Sequence, residues 1–467
     1  MSEVDALAGQ RSHPSSFRDP DSSMVRTDGE LLRVFSEQGA ADMRRFMATP
    51  TFDRATADGQ LVEAEVLDGE GPDHTLVLRP RELAPWNLPS EWSFSMLRDA
   101  ALLHLDLLRS AMDDSLMMKD ATAFNIAFSG SRPVFVDHGS FAPWADGEPW
   151  RAYLQYCEHF LFPLLVRAHG GIDAQPWLRS SIRGIDPDTA SRVLGWRATG
   201  RPGVALHVRL NAMLQRRYAK RPPDATPRVD HLPPAAVRAT VDKVRRAVER
   251  TVWKQGSSTW SEYSDRDHYD TGDLAVKERF VETTLARAPV HTVLDVGCND
   301  GRFSDIAARY ATTVVAIDAD HLAVDQLYRR LRDQGPANVL PLVVDVLNPT
   351  GASGWLGRER AGFFDRVRPD LVLLLAVVHH LAITGGVPLD HLGAWMRSLA
   401  CPLVVEFPDE HDEKVRQLLE HTKSGRTWEY SLARFERALH DNGLTVRRRE
   451  LLPSGTRTMF EISSESS

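Results

Sequence analysis

Cysteine is scarce in this chain. Cys157, Cys298 and Cys401 are the only three in 467 residues. They form no CxxC pair, so a disulfide framework and a zinc knuckle are both excluded and a reducing compartment fits. Lysine is scarce as well, with 7 residues (119, 220, 243, 254, 277, 414 and 423) among 56 basic ones, a bias read as coding rather than chemistry. Positive charge is short overall: 64 acidic residues leave a net charge of -8. No excess of cation is available to coat a phosphate backbone, which disfavours nucleic acid as a partner. Long apolar runs are missing too. The longest, Leu371 to Val378, is far too short to span a bilayer, and the start MSEVDALAGQRSHPSSF has neither a basic nor an apolar signal region. The expectation is a cytoplasmic protein with no membrane partner. What remains is ordinary globular composition, 42% apolar and 26% charged, in a chain long enough for two domains.

The first 30 residues, rich in Ser, Asp, Pro and Gly, read as a flexible tail. Alternating stretches at Leu61 to Leu67 and Thr75 to Arg79 flank DGEGPDH and predict a hairpin. From Ser93 to Leu116 apolar residues recur every three or four positions (Phe94, Leu97, Ala101, Leu105, Leu108, Met112), the pattern of an amphipathic helix. A strand pair around Ser129 to Arg132 follows, and residues 150–218 have helical spacing. KRPPDATPRVDHLPP then holds five prolines and marks a linker at 220–234. These readings divide the chain into a tail (1–30), a first domain (31–219), the linker and a second domain (235–467). In the second domain, apolar strands at 292–296, 313–317, 339–344, 371–376 and 402–407 alternate with helical segments, which predicts a parallel sheet covered by helices.

The strongest chemical signal is HTVLDVGCNDGRF, residues 291–303. An apolar strand ends in Asp295, a turn carries Gly297 and Gly301, and a helix begins at once. Glycines let the backbone approach a ligand closely, and a helix start adds oriented amides. A tight strand-to-helix turn without a ligand is the competing reading. Twenty-three residues on, TTVVAID ends in Asp318; twenty-seven further, LPLVVDV ends in Asp345. Three acids in order at strand ends line the edge where open α/β sheets bind ligands. Neither G-x-G-x-x-G nor G-x-x-x-x-G-K-[ST] occurs in the turn.

These residues resemble the class I S-adenosylmethionine-dependent methyltransferases, with Asn299 at the middle glycine of their D-x-G-x-G-x-G turn. Asn tolerates unusual backbone angles, so the departure is mild. The resemblance implies a Rossmann-like, mostly parallel seven-stranded sheet and S-adenosyl-L-methionine as cofactor. It implies a cofactor set of Asp295, Gly297, Cys298, Asn299, Gly301, Asp318, Ala319, Asp345, Val346, Ala376 and Tyr269. Asp318 would hold the ribose, and Asp345 with Val346 would border the adenine. Within WSEYSDRDHYDT, Tyr263, His268 and Tyr269 are aromatic candidates to cover a sulfonium, against a plain linker helix. The fourth strand leads to His379 and His380, and the fifth carries Glu406. Each can serve as a proton acceptor for the incoming methyl group's partner. Each also has a structural reading: a helix cap or packing for the histidines, a buried hydrogen bond for Glu406.

In the first half, LMMKDATAFNIAFSGSRPVFVDHGSF places Asp120 and Asn125 in D-x-x-x-x-N spacing, with Asp137-His-Gly twelve residues after Asn125. This order resembles protein and small-molecule kinases and implies an α+β kinase-like domain. No G-x-G-x-x-G loop precedes the hairpin and no lysine precedes residue 119, leaving Arg79 or Arg81 as poor substitutes. A degenerate, non-catalytic module is therefore expected over an active kinase, with a loop-tying Asp/Asn network as the plainest reading. Both halves together resemble bacterial two-domain proteins that include nodulation-associated methyltransferases of rhizobia. The likeness is carried by EWSFSMLRDAALLHLDLL, KDATAFNIAF, RPVFVDHGSF, VLDVGCNDGRFS, LPLVVDVLNP, VVHHLAITGGVPLD and LVVEFP. From residue 273 on, 27 acidic residues face 23 basic ones, and Arg447 to Arg449 is the one basic cluster. The expected acceptor is thus a small molecule bearing a hydroxyl or carboxylate, with no metal at the methyl-transfer site and phosphotransfer by the first half as the rival activity.

Overall fold

The computed structural model describes residues 13–14, 16–67, 76–145, 147–201, 203–218, 232–254, 271–287, 289–421 and 430–464. The chain divides into two compact units: Met1–Ser129 with Pro133–Gln255 and Thr350–Phe363, and Gly130–Arg132 with Gly256–Pro349 and Phe364–Ser467. No helix among the described residues is long and apolar enough to cross a membrane.

The first unit opens with a four-stranded antiparallel sheet in the order β1-β2-β4-β3. Its strands are β1 (Ser22–Thr27), β2 (Glu30–Phe35), β3 (Ala64–Val66) and β4 (Val77–Pro80). The expected hairpin is the β3/β4 pair; its connection, 68–75, lies outside the described residues. The expected flexible tail (1–30) is corrected from Ser22 on, because β1 and β2 pair across six residues, with Val25, Leu32 and Phe35 buried; residues 1–12 and 15 lie outside the described residues. Apolar alternation this short was hidden among the polar residues of the opening segment.

The helix Phe94–Asp113 starts where Ser93 Oγ accepts from the Met96 N–H, an N-cap that satisfies an otherwise orphaned donor. It buries the apolar face read from the sequence, with Leu97, Ala101, Leu105, Leu108 and Met112 at 4% exposure or less. Three short strands and a fourth follow: β5 (Leu116–Met118), β6 (Ile126–Ser129), β7 (Arg132–Phe135) and β8 (Phe141–Pro143). β5 pairs with β8 and β6 with β7. Residues 153–218 are largely helical.

The helix Pro234–Arg250 also belongs to this unit, so the contact boundary falls near residue 255 rather than at 235. The reason is its stripe of Val237, Val241, Val244 and Val248, all buried. Arg245 adds a 2.9 Å ion pair to Asp106 of the earlier helix. Most of the proline-rich linker, 219–231, lies outside the described residues. Residues 350–363 join the unit as well. Glu359 there is buried and pairs with Arg18, while the Arg360 guanidinium lies 3.6 Å from the centre of the Phe124 ring.

The second unit is a seven-stranded sheet. Its strands are β9 (Val290–Val296), β10 (Ala311–Asp318), β11 (Val339–Val343), β12 (Leu371–Leu374), β13 (Leu403–Pro408), β14 (Leu444–Leu451) and β15 (Arg457–Ser464). They run in the order β11-β10-β9-β12-β13-β15-β14. The first five are parallel, and β15 is antiparallel to both its neighbours. The parallel strands are continuous Val/Leu/Ile runs because helices cover both faces. β14 and β15 were not distinct in the strand reading: LTVRRREL carries four consecutive charged residues, Arg447 to Glu450, on an edge strand, which blunts the apolar signal.

Candidate functional site

The sheet order reverses beside β9, and the chain leaving that strand forms the site. Gly297 has φ +73° and Gly301 φ +82°, values that side chains rarely adopt. A Cβ on Gly297 would meet Val377 Cγ2 at 2.5 Å, and one on Gly301 would meet Leu327 Cδ1 at 2.5 Å. The turn is therefore closed by packing as well as by backbone angle. Asn299 takes φ +48°, as expected for the residue at the middle glycine position. The N–H groups of Gly297 and Cys298 both donate to the Ile317 carbonyl, at 2.8 and 3.0 Å, which pins the turn to β10.

The predicted acids separate into different roles. Asp295 is buried at 2% exposure and accepts from the Ser304 hydroxyl at 2.6 Å. It anchors the first turn of the helix Arg302–Ala307 to the strand. Burial, with the nearby carboxylates of Asp318, Asp300 and Asp305, pushes its carboxyl up to about 7. Asp318 is half-buried and accepts from the Asn299 N–H at 3.0 Å and the Asp320 N–H at 2.9 Å. Burial raises its pKa, opposed by those backbone donors. Asp345, half-buried two residues beyond β11, accepts from the Leu347 N–H at 2.9 Å. Gly297 and Ala319 are exposed, while Asn299, Val346 and Ala376 are half-buried, so these positions form a lip open to solvent. Cys298 differs from expectation: its side chain is packed into the core with Phe280, Val293 and Leu327. Burial drives its thiol well above the ordinary range, so only its backbone belongs to the turn. Tyr263, His268 and Tyr269 lie outside the described residues.

Past β12, Ala376 adopts φ +55°, a strained conformation for a residue with a Cβ. The chain then turns through His379 into the wide helical turn His380–Thr384. The two imidazoles lie 4.0 Å apart. His379 is buried and its Nδ1 has no hydrogen-bond partner among the described residues. Burial, then His380, Arg457 and Lys277, lower its pKa well below the usual value. Burial and Arg457 lower His380 to about 4. Both are neutral at pH 7. Glu406 on β13 is fully buried, 2.6 Å from Lys277 Nζ and 3.0 Å from Arg457. Burial alone would raise its pKa, and the two cations outweigh it to give a lowered value. This is the geometry of an ionic strut rather than of a base open to an acceptor. Lys277 and Arg457 were missed in the sequence. The available signal was that Lys277 shares a helical face with Phe280, Val281 and Thr284, all buried, where a lysine is out of place.

In the first unit, Asp120, Asn125 and Asp137 are brought together by Ser140. Its hydroxyl is 2.9 Å from Asp120 Oδ1 and 2.7 Å from Asp137 Oδ2, and Asn125 Nδ2 donates to Asp120 at 2.9 Å. Arg33 of β2 pairs with Asp137. Although burial acts to raise Asp137, the Arg33 guanidinium holds it below the usual carboxylate range. Burial and then Asp137 push Asp120 up to about 6. The substitutes Arg79 and Arg81 are instead paired with Glu30, Glu65 and Glu63 on the surface. Among the described residues no group of three or more His, Cys, Asp or Glu converges as a metal site.

A seven-stranded sheet in this order, with a glycine turn after β9 and acids at or just past the C-terminal ends of β9, β10 and β11, defines the class I fold of S-adenosylmethionine-dependent methyltransferases. Solved structures similar to the chain include N-methyltransferase NodS from Bradyrhizobium japonicum WM9, which covers 42% of this chain and 99% of its own at 14% identity and a TM-score of 0.31. Magnesium protoporphyrin IX methyltransferase from Synechocystis PCC 6803 covers 49% and 94% at 17% identity, also with a TM-score of 0.31. No family model matches the chain. Nodulation protein NoeA of Rhizobium meliloti (strain 1021) is 33% identical over 461 residues, covering 95% of this chain and 94% of the relative. The chain belongs to the family of that protein.

Proposed function

We propose that the protein is an S-adenosylmethionine-dependent methyltransferase that methylates a hydroxyl or carboxylate oxygen of a small molecule, such as a secondary metabolite. The observation that carries this reading is the placement of Asp295, Asp318 and Asp345 at or just past the C-terminal ends of three adjacent parallel strands, around a turn whose Gly297 is exposed. The open lip at Gly297 and Ala319 fits a cofactor lying across the strand ends. Asp318 would hold the ribose hydroxyls, Asp345 with Val346 would border the adenine, and Asp295, Gly297 and Gly301 shape the turn. When bound, the cofactor supplies a methyl group on a sulfonium. The chain's own task is alignment, since an in-line displacement with a neutral leaving group needs little else. The imidazoles of His379 and His380, kept neutral by burial and nearby cations, would accept a hydrogen bond from an acceptor hydroxyl and orient it, their lowered pKa making them weak bases; a carboxylate acceptor needs no proton removed.

The first unit is a kinase-like module that assists acceptor binding or assembly. Support comes from the convergence of Asp120, Asn125 and Asp137. Arg33 on Asp137 counts against phosphotransfer, because a guanidinium there competes with any cation that would carry phosphate. The test is incubation with a labelled methyl donor and producer-cell metabolites, with the product identified by mass. A labelled small molecule is expected. Label appearing only in RNA or protein would overturn the acceptor class, and ATP consumption abolished by Asp137→Ala would restore phosphotransfer.

A further inference from the structure

Lys277 is one of two cations that flank the fully buried carboxylate of Glu406, and it stands on a helix no motif had marked. Its Nζ lies 2.6 Å from Glu406 Oε2 and 5.3 Å from the centre of the Phe303 ring. Phe303 is in the first turn of the helix that follows Gly301, so Lys277 touches the element leaving the glycine turn. Glu406 follows Val405, which is paired with Leu374 of β12, so it is level with the chain that runs on to His379. On its other side, Arg457 of β15 pairs with Glu406 at 3.0 Å and with Asp412 at 2.8 Å. Four charges thus cross from the turn to β13 and β15.

The His379 imidazole is buried, and its Nδ1 has no hydrogen-bond partner among the described residues. A buried polar atom of that kind is costly unless something meets it. We propose that Lys277 is a positioning residue, whose ion pair with Glu406, shared with Arg457, joins the glycine turn to the floor beneath the His379–His380 pair and sets that pair for the acceptor. The inference rests on the methyltransferase reading. Beside burial, His379 is acted on by His380, by Arg457 from β15 and by Lys277 from the helix before β9, and His380 by Arg457; Glu406 from β13 and Asp412 just after it hold the two cations. The cations disfavour an imidazolium, so the pair stays neutral and can orient a hydroxyl by accepting its hydrogen bond without taking its proton. A cationic ammonium acceptor is disfavoured by the same field.

The test is the titration of the two imidazoles by NMR on the full chain labelled at histidine, assigned with His379→Gln and His380→Gln. In the unaltered protein both are expected to stay neutral down to pH 5. Titration near the ordinary imidazole range would overturn the proposal without any further variant. Lys277→Met should move the His379 titration upward, and Lys277→Arg should bring it back. A folded Lys277→Met chain with an unchanged His379 titration would also overturn it. Calorimetry with S-adenosylhomocysteine separates the two levels of argument: no binding to the unaltered protein rejects the methyltransferase reading, whereas binding with misplaced titrations rejects only the role of Lys277.

Discussion

The backbone N–H of Asn299 donates to Asp318 Oδ2 across 3.0 Å, tying the glycine turn after β9 to the last residue of β10. The carboxylate that would hold a ribose is thus the same one that sets the shape of the turn. Asp318→Ala removes both functions. Hydrogen bonds to charged groups contribute roughly 1.5–3 kcal/mol, so affinity for S-adenosylhomocysteine should fall about ten- to a hundredfold in calorimetry. Unchanged affinity would remove Asp318 from the site.

Gly297→Ala should destabilise the second unit by about 1–3 kcal/mol, the range for a residue held in a disfavoured backbone region. Two causes are separable. The φ of +73° persists in any variant, but the 2.5 Å approach to Val377 Cγ2 disappears in Gly297→Ala/Val377→Ala. Chemical denaturation of the single and double variants should therefore show partial recovery. Full recovery would mean that the angle carries no strain.

Asp295 gives a pH signature. Its folded-state pKa of about 7 lies above the ordinary 3.8. Its contribution to stability is therefore complete below about pH 4 and is lost as pH rises through 7. At 1.36 kcal/mol per unit the loss is at most roughly 4 kcal/mol. Asp295→Asn keeps an acceptor for Ser304 and carries no charge. It should raise the melting temperature at pH 8 relative to the unaltered chain, and do so far less at pH 5. An equal change at both values would show that burial does not tax this carboxylate.

Arg33→Met runs in the opposite sense. Asp137 has a lowered pKa because Arg33 outweighs its burial, so the pair stabilises above about pH 4 and fades as pH falls through the lowered value. Removing the guanidinium leaves a carboxylate buried without its cation, which costs on the order of 3–5 kcal/mol. The stability gap to the unaltered protein should widen from pH 4 to pH 8 in thermal melts. A gap independent of pH would mean that Asp137 is already protonated.

Much of the second unit was legible in the sequence. Strand ends at Asp318 and near Asp345, the turn at 297–301 and the tolerance of Asn299 for a positive φ all follow from local chain chemistry. The helix Phe94–Asp113 announced itself through its period and its Ser93 cap. The errors have a common physical origin. The opening strand β1 (SSMVRT) and the edge strand β14 carry few apolar residues, so their pairing depends on neighbours rather than on pattern. Cys298 was placed with the ligand by its position in a motif, yet the turn points its side chain into the core. The helix Pro234–Arg250 sat after a proline cluster that suggested a boundary, while its valine stripe joins it to the unit before.

By itself the sequence determined the five parallel strands of the second unit, where the glycine turn lies, and the ordered acids at its edge. These are effects of residues within a few positions of one another. Only the tertiary structure decided that Lys277 and Arg457 meet Glu406 from opposite sides, that Arg33 sits on Asp137, and that His379 keeps a buried nitrogen without a partner among the described residues. Those relations join residues that are 51 to 129 positions apart. They arise from burial that brings distant charges together where water cannot screen them, and no local pattern encodes that.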